Sequence, residues 1–261
     1  MKLIPSKDGT AIACWQGGTG DPLLLIHGTT GDHTTWTSSL ALLQQHFTVW
    51  SLDRRGRGHS GDSHSYAFAR ECEDIAAVID AIGNRVNVAG HSFGGLCALE
   101  AALLTSNVGK LILYEPSITL TGSGWSAELE HHLQVLWDQN AWEESLLLFF
   151  CDLLKTPQHE ITALRASANW APRVAAAHTI LRELQSIDRY VFAPQRFQGL
   201  KIPILLMIGG DSHERRFKTA DLLQQCLVHS QRAILPGQQH SAMRNAPELF
   251  ARTIIEFLDH P

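Results

Sequence analysis

Long apolar runs are missing from this chain of 261 residues. Stretches such as Leu146–Phe150 fall far short of the about 20 residues a membrane-spanning helix needs, so no membrane partner is expected. A basic excess is missing too. Lys and Arg number 21 against 26 Asp and Glu, a formal net charge of -5, which removes the usual electrostatic ground for binding nucleic acid. Cysteine is scarce and unpaired in pattern: five residues, an odd number, with no Cys-x-x-Cys, read as reduced thiols rather than a disulfide framework. The first residues, MKLIPSKDGTAIACW, lack the continuous apolar core of a secretory signal, and a cytoplasmic location is the expectation. His-Glu-x-x-His, P-loop and dinucleotide fingerprints are also lacking, so no metal or organic cofactor is called for.

What is present is an alternation. Short apolar runs at Thr10–Trp15, Leu23–His27, Phe47–Leu52, Val86–Ala89, Leu111–Tyr114, Ile204–Ile208 and Arg232–Leu235 read as strands. Several are apolar throughout, as strands buried on both faces are. Between two of them, Phe68, Cys72, Ile75, Ile79 and Ile82 recur at three- and four-residue steps, the stripe of an amphipathic helix, and Gly83 supplies its stop. Further helical patterns follow Ser92, Arg215 and Pro247. The rhythm predicts an α/β fold with a mainly parallel sheet flanked by helices.

One interval departs from it. Residues 117–196 show no convincing strand, yet hold four of the seven tryptophans: Trp125, Trp137, Trp142 and Trp170. The interval is too long for a lone crossover. It is read as an inserted helical cap over one end of the sheet, with residues 1–116 and 197–261 forming the core.

Chemistry concentrates at Val86–Glu100, VNVAGHSFGGLCALE. Gly90-His91-Ser92-Phe93-Gly94 fits Gly-x-Ser-x-Gly between a predicted strand and a predicted helix, the context of a nucleophile elbow. A sharp turn there lifts the Ser92 hydroxyl above the sheet, and the glycines let backbones pass without Cβ clashes. The following helix aims its first amides where negative charge would develop. The run Asp53–Gly61, DRRGRGHSG, carries three arginines, but it is short, glycine-broken and set in an acidic chain. A turn packed beside the site, shaped by Asp53, is expected rather than phosphate contact.

With these motifs in order, the chain resembles the α/β-hydrolase fold family, its serine-nucleophile branch with a helical cap. His27-Gly28 after a buried strand, Trp36 in the next helical pattern, Asp53–Ser60, the elbow, Pro203–Asp211, Gly237–His240 and Pro247-Glu248 all match. The resemblance covers essentially everything outside the cap. It implies Ser92 as nucleophile and His240, between the last strand and the last helix, as base. His229, His131 and His132 stand elsewhere, as does His260, and His91 occupies a variable elbow position where a side chain packs. The resemblance also implies an oxyanion hole from the backbone N–H groups of Thr29 and Phe93. The acid is left between two residues. Asp211, in Gly209-Gly210-Asp211-Ser212, stands one residue early relative to the usual Gly-x-x-Asp and is the first choice; Glu115, at the end of the preceding strand, is the alternative, a position used by certain haloalkane dehalogenases.

The expected activity is cleavage of a small, largely apolar ester or related carbonyl compound through an acyl-enzyme at Ser92. Carbon–carbon bond, thioester and lactone hydrolysis and perhydrolysis stand as alternatives on the same residues. A small-ligand receptor retaining the triad is the alternative of another class. Serine rather than aspartate at the elbow argues against dehalogenase or epoxide-hydrolase chemistry. Oligomeric state is left open.

Overall fold

Strands that are apolar on every residue must bury both faces, and the sheet is built that way. The computed structural model describes residues 1–119 and 125–259. Eight strands pair in the order β1-β2-β4-β3-β5-β6-β7-β8: β1 Lys2–Pro5, β2 Ala11–Gly17, β3 Pro22–Ile26, β4 Thr48–Leu52, β5 Val86–His91, β6 Val108–Tyr114, β7 Ile204–Gly209 and β8 Ser230–Leu235. From β4 to β8 the pairing is parallel; β2 runs antiparallel to β4, and β1 antiparallel to β2.

Alternation along each strand divides the core into two layers. Leu24, Ile26, Leu111, Leu113, Ile204 and Leu206 face one side, where they pack with Phe93, Leu96, Ile75 and Ile79. Leu23, Leu25, Ile112, Tyr114, Leu205 and Met207 face the other, against Trp36, Leu43, Phe250 and Ile254. The helices are α1 Thr37–Leu43, α2 Phe68–Ile82, α3 Phe93–Ala101, α4 Ala127–Asp138, α5 Trp142–Leu148, α6 Gln158–Arg165, α7 Trp170–Ala176, α8 Ile180–Arg189, α9 Glu214–Cys226, α10 Ala242–Asn245 and α11 Pro247–Asp259. Helices α2 and α3 thus cover the first face, and α1 and α11 the second.

The predicted stripe on α2 is the buried one, and Gly83 ends the helix at φ 136°, donating its N–H to Ile79 O at 3.1 Å. Strand β1 escaped the sequence reading. It is an edge strand in which only Ile4 is buried, so it carries almost no hydrophobic signal.

The interval read as a cap contains helices α4–α8, joined in part by 3₁₀ and π turns, and no strand among its described residues; positions 120–124 of it lie outside them, as does His260. Its apolar side chains, including Leu133, Leu146, Phe149 and Leu184, continue the layer that holds Phe93 and Leu96. All five cysteines are free thiols, and among the described residues no helix is long and apolar enough to cross a membrane.

Candidate active site

Strand β5 ends in Gly90-His91 and α3 begins at Phe93, so the chain must reverse through Ser92 alone. Ser92 sits at φ 54° and ψ -123°, a conformation L-residues rarely adopt. Glycines make the turn possible. A Cβ at Gly90 would lie 2.6 Å from Gly94 O, and one at Gly94 only 2.3 Å from His27 O. Ser92 N–H is tied to Tyr114 O at 3.0 Å, which holds the elbow against the next strand. The nucleophile candidate is thereby over-determined by backbone contacts on both sides.

His240 follows β8, and its imidazole meets a carboxylate: Nδ1 lies 2.6 Å from Glu115 Oε2. The backbone at Glu115 takes φ 45° just past β6, which folds its side chain back along the sheet end. Gly209 N–H and the Ser212 hydroxyl donate to Glu115 Oε1 at 2.9 and 2.5 Å, and Arg216 Nε approaches Oε2 at 3.5 Å. Burial alone would raise the Glu115 pKa. The His240 hydrogen bond and charge, with Arg216 and Ser212, outweigh it and hold the group down at about 2. Burial and the Arg216 charge move His240 the other way, below the ordinary histidine value, against the pull of Glu115. A neutral imidazole with Nδ1–H fixed on a carboxylate leaves Nε2 as an acceptor. The Ser92 hydroxyl itself rests against the Ser117 hydroxyl at 3.1 Å.

Gly28 to Gly31 form a turn closed by Gly31 N–H to Gly28 O at 3.2 Å, with Thr29 and Thr30 at its centre and Thr30 at φ 62°. Ser92, His240, Glu115, Thr29 and Thr30 line one cavity of about 900 Å³, which α7 and the Phe149–Leu153 turn wall off from the far side. A second lobe of about 220 Å³ shares Ser92 and Thr29 and is lined by Ile118, Phe149, Leu184 and Ile187.

A model of the alpha/beta hydrolase family matches residues 23–253, the span from β3 into α11. The chain belongs to the alpha/beta hydrolase family. That makes it an enzyme of the alpha/beta-hydrolase class. The chain is 25% identical over 257 residues to the pimeloyl-[acyl-carrier protein] methyl ester esterase of Vibrio cholerae, covering 93% of this chain and 96% of the relative. Among solved structures, an alpha/beta hydrolase from Sphaerobacter thermophilus superposes with a TM-score of 0.85 at 29% identity, over 98% of this chain and 100% of that one. The enol-lactonase of Burkholderia xenovorans, at 19% identity and a TM-score of 0.78 over 98% of this chain and 99% of that one, shares the fold.

Of the two candidate acids, the geometry brings only one to His240. The carboxylate on His240 is Glu115, and Asp211, the first choice from sequence, is exposed at the cavity mouth. Asp211 N–H is bonded to Gln238 O at 2.9 Å, which anchors the backbone there. Its neighbours Gly209 and Ser212 turn to Glu115 instead, so the missing residue of Gly-x-x-Asp is not absorbed by the loop.

The loop that carries His240 is held by Tyr114, which no motif marked, and by His91, the variable residue of the Gly-x-Ser-x-Gly run. The Tyr114 hydroxyl donates to Gln239 O and accepts from Ala242 N–H, and His91 Nε2–H donates to His240 O at 2.8 Å. Burial, with the neighbouring His240, pushes His91 well below its ordinary pKa. These two side chains clamp the loop that carries His240. Tyr114 stands one residue before Glu115 and His91 one before Ser92, and those adjacencies are the signals the sequence offered.

The Asp53–Gly61 run behaves as expected of a turn. Asp53 accepts from His33 N–H and His59 N–H, each at 2.8 Å. Arg54 pairs with Glu71 at 3.0 Å and Arg55 with Asp74 at 2.6 Å, while Arg54 and Arg57 both contact Glu183 of α8. Asp32, His33 and Asp53 bring three potential metal-ligand atoms within 4.8 Å of one another. Their ligand atoms already bond protein groups: Asp53 Oδ1 meets His33 Nδ1 at 2.8 Å, and Asp32 Oδ1 accepts from Thr34 N–H at 2.8 Å. They read as a loop brace.

Proposed function

We propose that the protein is a serine hydrolase of small ester or related carbonyl substrates, acting through an acyl-enzyme at Ser92. The observation that carries this reading is a positive-φ serine between β5 and α3 opening into the same cavity as a His240–Glu115 pair. In the reaction, the Ser92 hydroxyl swings from Ser117 to His240, whose Nε2 takes its proton as Oγ attacks the carbonyl. Glu115 holds the imidazole in the Nδ1–H tautomer and stabilises the imidazolium. The N–H of Phe93, an unpaired first-turn amide of α3, and that of Thr29 receive the oxyanion. His240 then returns the proton to the leaving group and activates water against the acyl-enzyme.

The main cavity falls within the about 300–1,000 Å³ usual for small-molecule sites. Its apolar side lobe at Ile118, Leu184 and Ile187 fits a short hydrocarbon group beside the reacting carbonyl. Ester chemistry in the Vibrio cholerae relative supports an ester as the first class to try. The helices of residues 117–196 act in this reading as a cap that selects the substrate.

The test is covalent labelling. A fluorophosphonate probe is expected to modify Ser92, and Ser92→Ala to abolish both labelling and turnover of short p-nitrophenyl esters. Turnover that survives Ser92→Ala overturns the nucleophile. Tight ligand binding without turnover in the native chain favours the receptor reading.

A further inference from the structure

Arg173 stands out among the charged residues around the cavity. It comes from α7 and reaches across to the Thr29–Thr30 turn, where Nη1 donates to Thr30 Oγ1 at 2.9 Å and to Thr30 O at 3.3 Å. Among the described residues no carboxylate oxygen lies within 4 Å of it, and its Nε is buried without a hydrogen-bond partner. An orphaned Nε is not peculiar to it, since Arg57 has one too, but Arg54, Arg55, Arg57 and Arg216 are all ion-paired, on Glu71, Asp74, Glu183 and Glu115. The one carboxylate with an electrostatic hold on Arg173, Asp32, is engaged by the N–H and hydroxyl of Thr34.

A second cation faces the same wall. Arg244 of α10 lines the cavity with Arg173, and among the described residues its one acidic contact is a long one of 3.4 Å to Glu160. Burial first, then the Arg244 charge, pushes Arg173 down to about 10, so it stays cationic at neutral pH while carrying an unrelieved penalty. A half-buried guanidinium with no ion-pair partner and a like-charged neighbour is stabilised by an anion that enters between them.

We propose that Arg173, flanked by Arg244, recognises a carboxylate on the substrate, so that this hydrolase acts on esters bearing one anionic end and one short apolar portion. The apolar portion occupies the lobe at Ile118, Leu184 and Ile187, and the carboxylate sits in the main cavity, which Arg173 and Arg244 line and the lobe does not share. The planar fork of arginine suits a carboxylate better than a point charge does. The proposal rests on the hydrolase reading and narrows its substrate class. Arg173 also braces Thr30, so a merely structural role would lower turnover of charged and neutral substrates alike.

The experiment uses matched pairs that differ only in one charge. Monomethyl adipate is compared with dimethyl adipate, placing the carboxylate on the acyl side. 4-Acetoxybutyrate is compared with its methyl ester, placing it on the leaving-group side. The native enzyme is expected to favour the anionic member of at least one pair in kcat/KM by about tenfold or more, the worth of one charged hydrogen bond. Arg173→Met erases that ratio, chiefly through KM, and Arg173→Lys retains part of it. Turnover without preference in both pairs, or a fall in Arg173→Met equal for both members, overturns the proposal. If no ester is turned over, the hydrolase reading fails by itself. Ligand-detected NMR on Ser92→Ala protein then decides anion recognition separately: tighter binding of the anionic member, lost in the Ser92→Ala, Arg173→Met double variant, supports it, and equal or absent binding of both overturns it.

Discussion

At Glu115 the backbone leaves strand geometry for φ 45°, and that departure carries the carboxylate to His240. Replacing it is therefore the sharpest test at the scale of one residue. Glu115→Gln should lower kcat by about four orders of magnitude, as loss of the orienting carboxylate does in serine triads. Asp211→Asn, an exposed change, should leave the rate near that of the native enzyme. Steady-state rates of the two folded variants decide between the carboxylates. The same pair sets a pH dependence. In the proposed mechanism neutral His240 is the base, and its pKa is lowered from the usual 6.5 by burial and Arg216. A lowered pKa keeps the neutral form to lower pH, so the acid limb of kcat/KM belongs below pH 6.5; a limb centred above that value contradicts the assignment. Sequence ranked Asp211 before Glu115, yet the structure sets Glu115 on His240, because one residue of register at a strand end redirects a side chain.

At the scale of the element, the elbow depends on absent side chains. A Cβ at Gly94 would press on backbone at His27 O and Ile26 O, 2.3 and 2.6 Å away, where nothing can yield without moving β3. A Cβ at Gly28 would instead meet Ser92 Cβ at 2.9 Å and His91 Nδ1 at 3.1 Å. Gly94→Ala should cost about 1–3 kcal/mol or more in urea unfolding, the range of overpacked cores. Gly28→Ala should lose more in kcat than in stability, since it displaces the nucleophile. The strand–turn–helix at Ser92 was legible because valine-rich, glycine-rich and alanine-rich segments follow one another there. Strand β1 was not, since an edge strand with one buried residue has no periodicity to read.

Across the whole molecule, Glu183 joins the two parts of the chain. It lies on α8, fully buried, and takes both Arg54 and Arg57 from the loop after β4. Glu71 of α2 pairs with Arg54 in the same network, and Arg57 also donates to Thr179 Oγ1 at 2.8 Å. Removing one acid leaves two buried guanidinium groups sharing the other. Glu183→Gln should therefore destabilise the protein by about 3–5 kcal/mol. Denaturant unfolding measures this, and limited proteolysis should then cut first within residues 125–196. Stability unchanged by the substitution would mean that Glu183 adds nothing to the apolar packing and the other polar contacts, such as Arg173 to Thr30, between these segments.

Local order was written in the sequence itself. Alternating and 3.6-residue patterns, the Gly-x-Ser-x-Gly turn and the histidine between the last strand and helix each depend on residues near one another in the chain. They therefore announced the sheet, the elbow and the place of His240. The partner of that histidine, the clamp of Tyr114 and His91 on its loop, and the unpaired Arg173 over Thr30 join residues 125, 125, 149 and 143 positions apart. Such meetings are set by how β6, β7 and the helices between them stack, and no local pattern encodes a distance across the fold. Chain-local physics determined the architecture and the turn that presents Ser92; tertiary packing alone decided which carboxylate meets His240 and that Arg173 lines the same cavity.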